Sequence, residues 1–420
     1  MPMRALVFDP SPAGWVACKL LRPLWPDCWS SRLGGLALRQ LPPPELPAPD
    51  WVLCRTILGG LCGTDLSILR QRQRPDSILQ GFSTLPAVLG HENVARVCQV
   101  GPGVDRAWLE KRVCVEPTLC CRARGIDPPC LPCREGRFGV CENFSADGLG
   151  SSRLPPGTSI GYCGRVGGAW GEFFAAHVSQ LIEPPENFSD ELAVLTDPVA
   201  CSLHAVLRAD LSGAARVLVY GAGILGLGVV WALRAIGYAG AIDVIARHDH
   251  QEQLARSLGA SDVLRLPAEK ARRFQAVAAR VGARVTAARF GNCMLSGGYD
   301  ATFEAAGSPA GIEEAMKFTR AGGQVVLLAT GDGRGSDLTP LWFTELNVIG
   351  AYGRAEETFA GQSLTTYRLA HQLMLQTNLR ADGLLTHTFP IEHYRRAMLT
   401  ACDKAASRSV RVAFDFRQPD

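Results

Sequence analysis

"VLVYGAGILGLG", residues 217–228, joins a short apolar run to glycines at positions 221, 223 and 226. A β-branched run stopped by glycine and followed by helix-forming residues predicts a buried strand turning sharply into a helix. In that setting each glycine has a task. Gly221 permits the tight turn, Gly223 lets the backbone approach a pyrophosphate, and Gly226 brings helix and strand into close packing. Gly221, Gly223, Ile224, Leu225 and Gly226 are therefore candidate contacts for a dinucleotide held at a helix N-terminus. The stretch on to Gly237 has the length of a membrane span, but its glycines and Arg234 fit a buried strand and helix better, so no membrane partner is expected.

From about Cys201 the chain alternates apolar strands with helical periods, the pattern of a doubly wound parallel sheet. Strands are expected at 216–220, 241–246, 299–305, 323–329 and 347–352, with helices that include 250–260 and 309–323. The first ~180 residues are rich in glycine, proline and short β-branched runs, and predict a β-rich domain with long loops. Residues 21–50 carry prolines at both ends and are expected to be a surface insertion, while "SVRVAFDF" (409–416) is expected to return to the first domain. The expected division is 1–198, 199–348 and a C-terminal return over 349–420. At 420 residues two cores are affordable.

A formal net charge of +3 with no basic run argues against a nucleic-acid partner. The N-terminal stretch lacks a signal-peptide core, so a cytoplasmic protein is expected, and its fifteen cysteines then read as reduced thiols suited to metal binding or catalysis. In the NAD version of a glycine-loop fold an acidic residue about 20 residues past the loop bonds the ribose. Here that place falls on Ala246, followed by Arg247, and Asp243 lies too early, inside the strand. A guanidinium in place of a carboxylate favours NADP, since arginine forks onto phosphate. NAD stays open, because Asp249 is a possible ribose partner.

Three separated segments carry metal-ligating residue types: "GGLCGTDL" with Cys62, "VLGHENVA" with His91 and Glu92, and "LTDPVACSLHA" with Asp197. A catalytic zinc takes three such ligands and keeps a fourth position open. It polarises a carbonyl or lowers the pKa of an alcohol, and a nicotinamide accepts the hydride.

"CGTD", "GHE", a "DP" before the glycine loop and a cysteine-rich stretch between them, in this order, resemble the zinc-containing medium-chain alcohol dehydrogenases. Within them the chain is similar to the polyol and threonine dehydrogenase branch. The resemblance spans the chain apart from 21–50. It implies a GroES-like β-rich catalytic domain joined to a Rossmann domain, with the reaction at the cleft between them. Cys62, His91 and Asp197 would be zinc ligands, Glu92 an intermittent fourth, Thr64 the start of a proton relay, and Asp65 the acid that orients His91. Cys201 would lie near the nicotinamide or be a buried thiol. His204 is expected to be a packing residue, and His371, His387 and His393 structural. One departure is Ala95, where the family places glycine three residues after the glutamate.

"LCCRARGIDPPCLPCREGRFGVC", 119–141, matches the family's structural zinc lobe at Cys130, Cys133 and Cys141. Asp127 stands where the first cysteine is expected, so Cys121 is preferred as the fourth ligand, with Cys120 and Asp127 as alternatives. A closed four-sulfur site would stabilise a loop rather than catalyse. The expected activity is zinc-dependent hydride transfer between NADP, or NAD, and an alcohol, polyol or aldehyde, with two zinc ions per chain and a homo-oligomeric assembly, a dimer or tetramer. The competing expectation, a non-catalytic NADP-binding sensor, does not call for an intact set of ligands and relay hydroxyl.

Overall fold

The computed structural model describes residues 2–74, 76–145, 154–331 and 333–417. The chain forms two compact units: the first comprises Met1–Asp197, Thr358–His371 and Leu379–Asp420, and the second Pro198–Glu357 and Gln372–Asn378.

In the second unit six parallel strands stand in the order 262–264, 241–245, 216–220, 299–304, 319–327 and 347–350. Numbered within this sheet the order is 3-2-1-4-5-6, the doubly wound order whose direction reverses beside the first strand. Val217, Leu218 and Val219 are buried completely, and the helix Ile224–Ala235 that follows them is buried over most of its length. The span-length apolar run is thus a central strand plus a covering helix, which explains its hydrophobicity on every face. No helix among the described residues is long and apolar enough to cross a membrane. Asp243 is spent inside this core, where it accepts from Arg280 at 2.8 Å and from the Tyr299 hydroxyl at 3.0 Å.

Two expectations need correction here. The helix starting at Pro309 ends at Phe318 rather than at residue 323, and the next strand begins at Thr319. Thr319 pairs with Tyr299, and the ladder shifts register before Ala301 meets Gln324. The glycines at 322 and 323 lie within an irregular strand and do not close the helix.

The first unit is built on a seven-stranded sheet, with strand Trp51–Gly60 at its middle. That strand pairs with Asn93–Val100, with Phe173–His177 and with the C-terminal strand Arg411–Asp415. The tail thus closes the first unit, with Ala413 opposite Gly60. Ala95 is wholly buried opposite Thr56, where the ladder shifts register before Leu58 meets Val94, and its methyl packs as core. The proline-flanked segment is not one insertion. Residues 36–41 form a strand paired along its whole length with Met3–Phe8. The extra chain is the connection before it, where Ser11 caps a helix over Pro12–Leu21. Proline at the first helical turn starts that helix rather than breaking it.

His371 is buried, meets the Thr196 hydroxyl at 2.9 Å and packs edge-on to Phe188. Burial lowers its pKa from 6.5 to about 4. An unfolded imidazole binds a proton that the folded one refuses until about pH 4, so this residue withdraws stability as pH falls through that window. The loss reaches roughly 3 kcal/mol. Urea titrations at pH 7, 5.5 and 4.5 are expected to show a shallower acid decline for His371→Gln than for the wild type. Parallel declines would refute this.

Candidate active site

Strand Trp51–Gly60 delivers the chain to Cys62, which precedes a short helix over Gly63–Leu69. His91 and Glu92 lie directly before strand Asn93–Val100. Asn93 holds that approach: its amide nitrogen donates to the carbonyls of His91 at 3.0 Å and Val115 at 2.9 Å, and its oxygen accepts from the Val115 N–H. Ligand atoms of Cys62, His91 and Glu92 all come within 4.8 Å of one another, although these residues lie on separate segments. Gly60 makes the space, since a Cβ there would stand 2.3 Å from Glu92 Oε2.

The electrostatics of the cluster are unusual for a protein interior. Burial raises the Glu92 pKa, opposed by the Arg411 guanidinium and reinforced by Asp197. Arg411 Nη2 pairs with Glu92 Oε1 at 2.8 Å, both side chains nearly inaccessible, while Nη1 donates to the Leu61 carbonyl. Burial disfavours charge on His91, yet the Asp65 carboxylate and the Cys62 sulfur hold its pKa well above the ordinary value. Asp65 is wholly buried, with Oδ1 3.6 Å from His91 Nδ1 and Oδ2 accepting from the Cys62 N–H at 3.3 Å. Glu92 Oε2 and His91 Nδ1 are buried without a hydrogen-bond partner. The orphaned Glu92 oxygen beside a thiol suits a divalent cation, the Cys–His–carboxylate set suits zinc, and His91 Nδ1 faces the Asp65 carboxylate.

Asp197 does not join the tight trio. It is buried, its Oδ1 accepts from the Tyr367 hydroxyl at 2.6 Å, and its charge is felt by both Glu92 and Arg411. Thr64 is half-buried on the first turn of the helix after Cys62. His204 is taken up by Glu357 at 2.6 Å, a packing role. Cys201 is half-buried in the helix Thr196–Arg208.

Sulfurs of Cys121, Cys130, Cys133 and Cys141 form a second cluster within the same limit, with Cys121 and Cys141 3.6 Å apart. The Asn143 amide donates to Cys121 at 3.2 Å and its N–H to Cys141 at 3.4 Å, which are contacts suited to thiolates. Hydrogen bonding from Cys133 pulls Cys141 down to about 5, while burial pushes Cys121 up to about 11. Asp127 is exposed and outside the cluster. Cys120 remains outside the four, though a hydrogen bond from Cys133 lowers its pKa. The lobe is fastened by Arg124, wholly buried, which donates to the carbonyls of Leu119, Phe144, Leu154, Pro155 and Gly157.

In the second unit the glycine loop has the geometry its spacing predicts. Gly221 adopts φ +106, and a Cβ on Gly226 would collide with its carbonyl oxygen at 1.8 Å. Gly223 caps the helix without a side chain, leaving the first-turn N–H groups to an external anion. Arg247 is exposed, and among the described residues its guanidinium has no ion pair. Its charge reaches Tyr220, the residue before the loop. Asp249 instead pairs with Arg265 at 2.7 Å.

A six-stranded glycine-loop sheet, accompanied by a β-rich unit with an open Cys–His–carboxylate cluster, defines a nicotinamide-linked oxidoreductase acting on CH–OH groups. Residues 48–186 match the alcohol dehydrogenase GroES-like domain and residues 225–366 the zinc-binding dehydrogenase domain. The chain belongs to the zinc-containing medium-chain alcohol dehydrogenase family. It is 29% identical over 368 residues to L-threonine 3-dehydrogenase of Legionella pneumophila, covering 86% of this chain and 92% of that one. The structure is similar to 2R,3R-butanediol dehydrogenase from Bacillus subtilis, with a TM-score of 0.69, 22% identity and full coverage of both chains (100% each). A Sinorhizobium meliloti protein solved with NADP gives a TM-score of 0.69 at 22% identity over 99% of each chain, and a Geotrichum candidum acetophenone reductase solved with NAD gives 0.69 at 20% over 99% and 97%.

Arginine, asparagine and tyrosine contacts around the trio are absent from the motif reading. Only Arg411 left a trace, as the one cation in the largely apolar run "SVRVAFDF". Zinc-reconstituted protein is expected to hold two zinc ions per chain. Cys121→Ser should hold one and melt about 10 °C lower, the shift that ~3–5 kcal/mol produces in a unit of this size. Cys120→Ser should keep both ions. The reverse pattern, read by elemental analysis, would exchange the assignments.

Proposed function

We propose that the protein interconverts a small alcohol or polyol and its carbonyl by hydride transfer with NADP, using Cys62, His91, Glu92 and Asp197 around a catalytic zinc. The convergence of Cys62, His91 and Glu92 within 4.8 Å carries this reading. Bound there, zinc supplies a Lewis acid for the substrate oxygen, and the nicotinamide supplies the hydride acceptor. Arg411 opposes the rise that burial imposes on the Glu92 pKa, and Glu92 and Asp197 would be the two carboxylates available to the metal. Thr64, on the turn after Cys62, would begin a proton relay, its hydroxyl receiving the alcohol proton as it passes its own on towards solvent. The lobe cysteines 121, 130, 133 and 141 hold a structural zinc. The relatives named for threonine and butanediol support a secondary alcohol in a small polar molecule as substrate.

Preference for NADP rests on Arg247 beside the glycine loop and on Asp249 being engaged by Arg265. The competing cofactor is NAD, with which structurally similar proteins have been solved. A homo-oligomer is supported by the strand Asn347–Gly350 at the sheet edge and the exposed Trp342, Phe343 and Tyr352 nearby in sequence.

A screen of hydroxy amino acids, polyols and simple aldehydes, followed by nicotinamide absorbance, is expected to find turnover that Cys62→Ala abolishes. Arg247→Ala should raise KM for NADP by about 10–100-fold, as expected for a lost charge-assisted phosphate contact, and leave KM for NAD within about twofold. Unchanged NADP affinity would refute the cofactor assignment. Turnover surviving Cys62→Ala would refute the site.

A further inference from the structure

We propose that Tyr162 is a positioning residue of the catalytic metal site, acting on His91 through Asp65. This rests on the reading of Cys62, His91 and Glu92 as metal ligands. The Tyr162 hydroxyl donates to Asp65 Oδ1 at 2.5 Å. The same oxygen lies 3.6 Å from His91 Nδ1, and the other carboxylate oxygen accepts from the Cys62 N–H at 3.3 Å. Asp65 is therefore a junction with a backbone anchor on one oxygen and a phenol anchor on the other.

A metal-bound histidine uses one ring nitrogen for the metal and donates from the other to an acceptor that fixes its orientation. Asp65 Oδ1 is the acceptor facing His91 Nδ1, and a carboxylate oxygen has lone pairs for two donors. With one oxygen fixed by the Cys62 N–H, the hydroxyl of Tyr162 sets the remaining rotation of the carboxylate and so the place of Oδ1 beneath the imidazole. It also solvates a wholly buried charge that would otherwise be short of donors.

Tyr162 is itself held on independent contacts. Its N–H donates to the Ser159 carbonyl at 3.1 Å, and its own carbonyl accepts from Thr84 at 3.0 Å. Its ring lies 5.5 Å from the His91 ring at a 40° tilt, so the phenol both walls and steers the imidazole. Replacement by phenylalanine removes only the steering.

The test uses full-length protein, with cobalt(II) in place of zinc as a spectroscopic probe and a chelator as competitor. Tyr162→Phe is expected to weaken metal binding at the catalytic site about tenfold, the lower end for lost outer-shell partners. The visible cobalt band should shift, and the metal of the cysteine lobe should stay unchanged. Asp65→Asn should weaken the same site, and adding Tyr162→Phe to it should cost nothing further, since both act through one carboxylate. Wild-type affinity and spectrum in Tyr162→Phe, or additive losses in the double variant, would overturn the proposal. Cys62→Ala separates the two levels: if it holds as much cobalt as the wild type, the ligand reading itself fails.

Discussion

Arg411 and Glu92 form an ion pair in an interior where neither can reach water. Removing either partner from such a pair costs roughly 3–5 kcal/mol, because the other is left charged and desolvated. The guanidinium also donates to the carbonyl of Leu61, the residue before Cys62. One cation thereby opposes the desolvation of one carboxylate ligand candidate and holds the backbone next to a thiol. It reaches that position on the C-terminal strand, whose pairing with Trp51–Gly60 completes the sheet behind the cluster. Sheet closure and the electrostatics of the Cys62–His91–Glu92 cluster are thus one constraint. A strand misregistered by one residue would turn Arg411 to the opposite face.

The two cysteine-bearing clusters solve different problems with related atoms. The lobe gathers four sulfurs and satisfies its surroundings with Asn143 and the five carbonyls of Arg124, an arrangement that fixes a loop. The trio at Cys62 has mixed ligands and leaves buried polar atoms of His91 and Glu92 unpaired. Such atoms are costly unless a cation and a substrate oxygen complete them. The dense cysteine stretch is the quieter of the two sites for that reason.

Local features were readable directly from the chain. The glycine loop encodes strand, turn and helix within twelve residues, and its conformation follows from what those glycines alone permit. Arg247 could be found by counting from it. The roles of Arg411, Tyr162, Tyr367 and Asn93 depend on contacts between segments that no spacing rule connects. The helix starting at Pro12 was hidden in another way, because prolines at 23 and 26 drew the boundary of the insertion past it. The helix ending at Phe318 was overextended because its glycine pair reads as a cap. Pairing of Thr319 with Tyr299 overrides that local signal. Asp197 was legible as a metal-ligating acid through the family resemblance, but its hydroxyl partner sits 170 residues away.

The first unit is discontinuous, interrupted by a second unit that is nearly continuous. During synthesis the parallel sheet can therefore assemble while the β-rich unit still lacks its last strand. Until Arg411 emerges, Glu92 has no buried counter-charge, although every other residue of the trio has long been made. A chain cut short before residue 411 lacks that counter-charge, although every strand of the parallel sheet is already present in it.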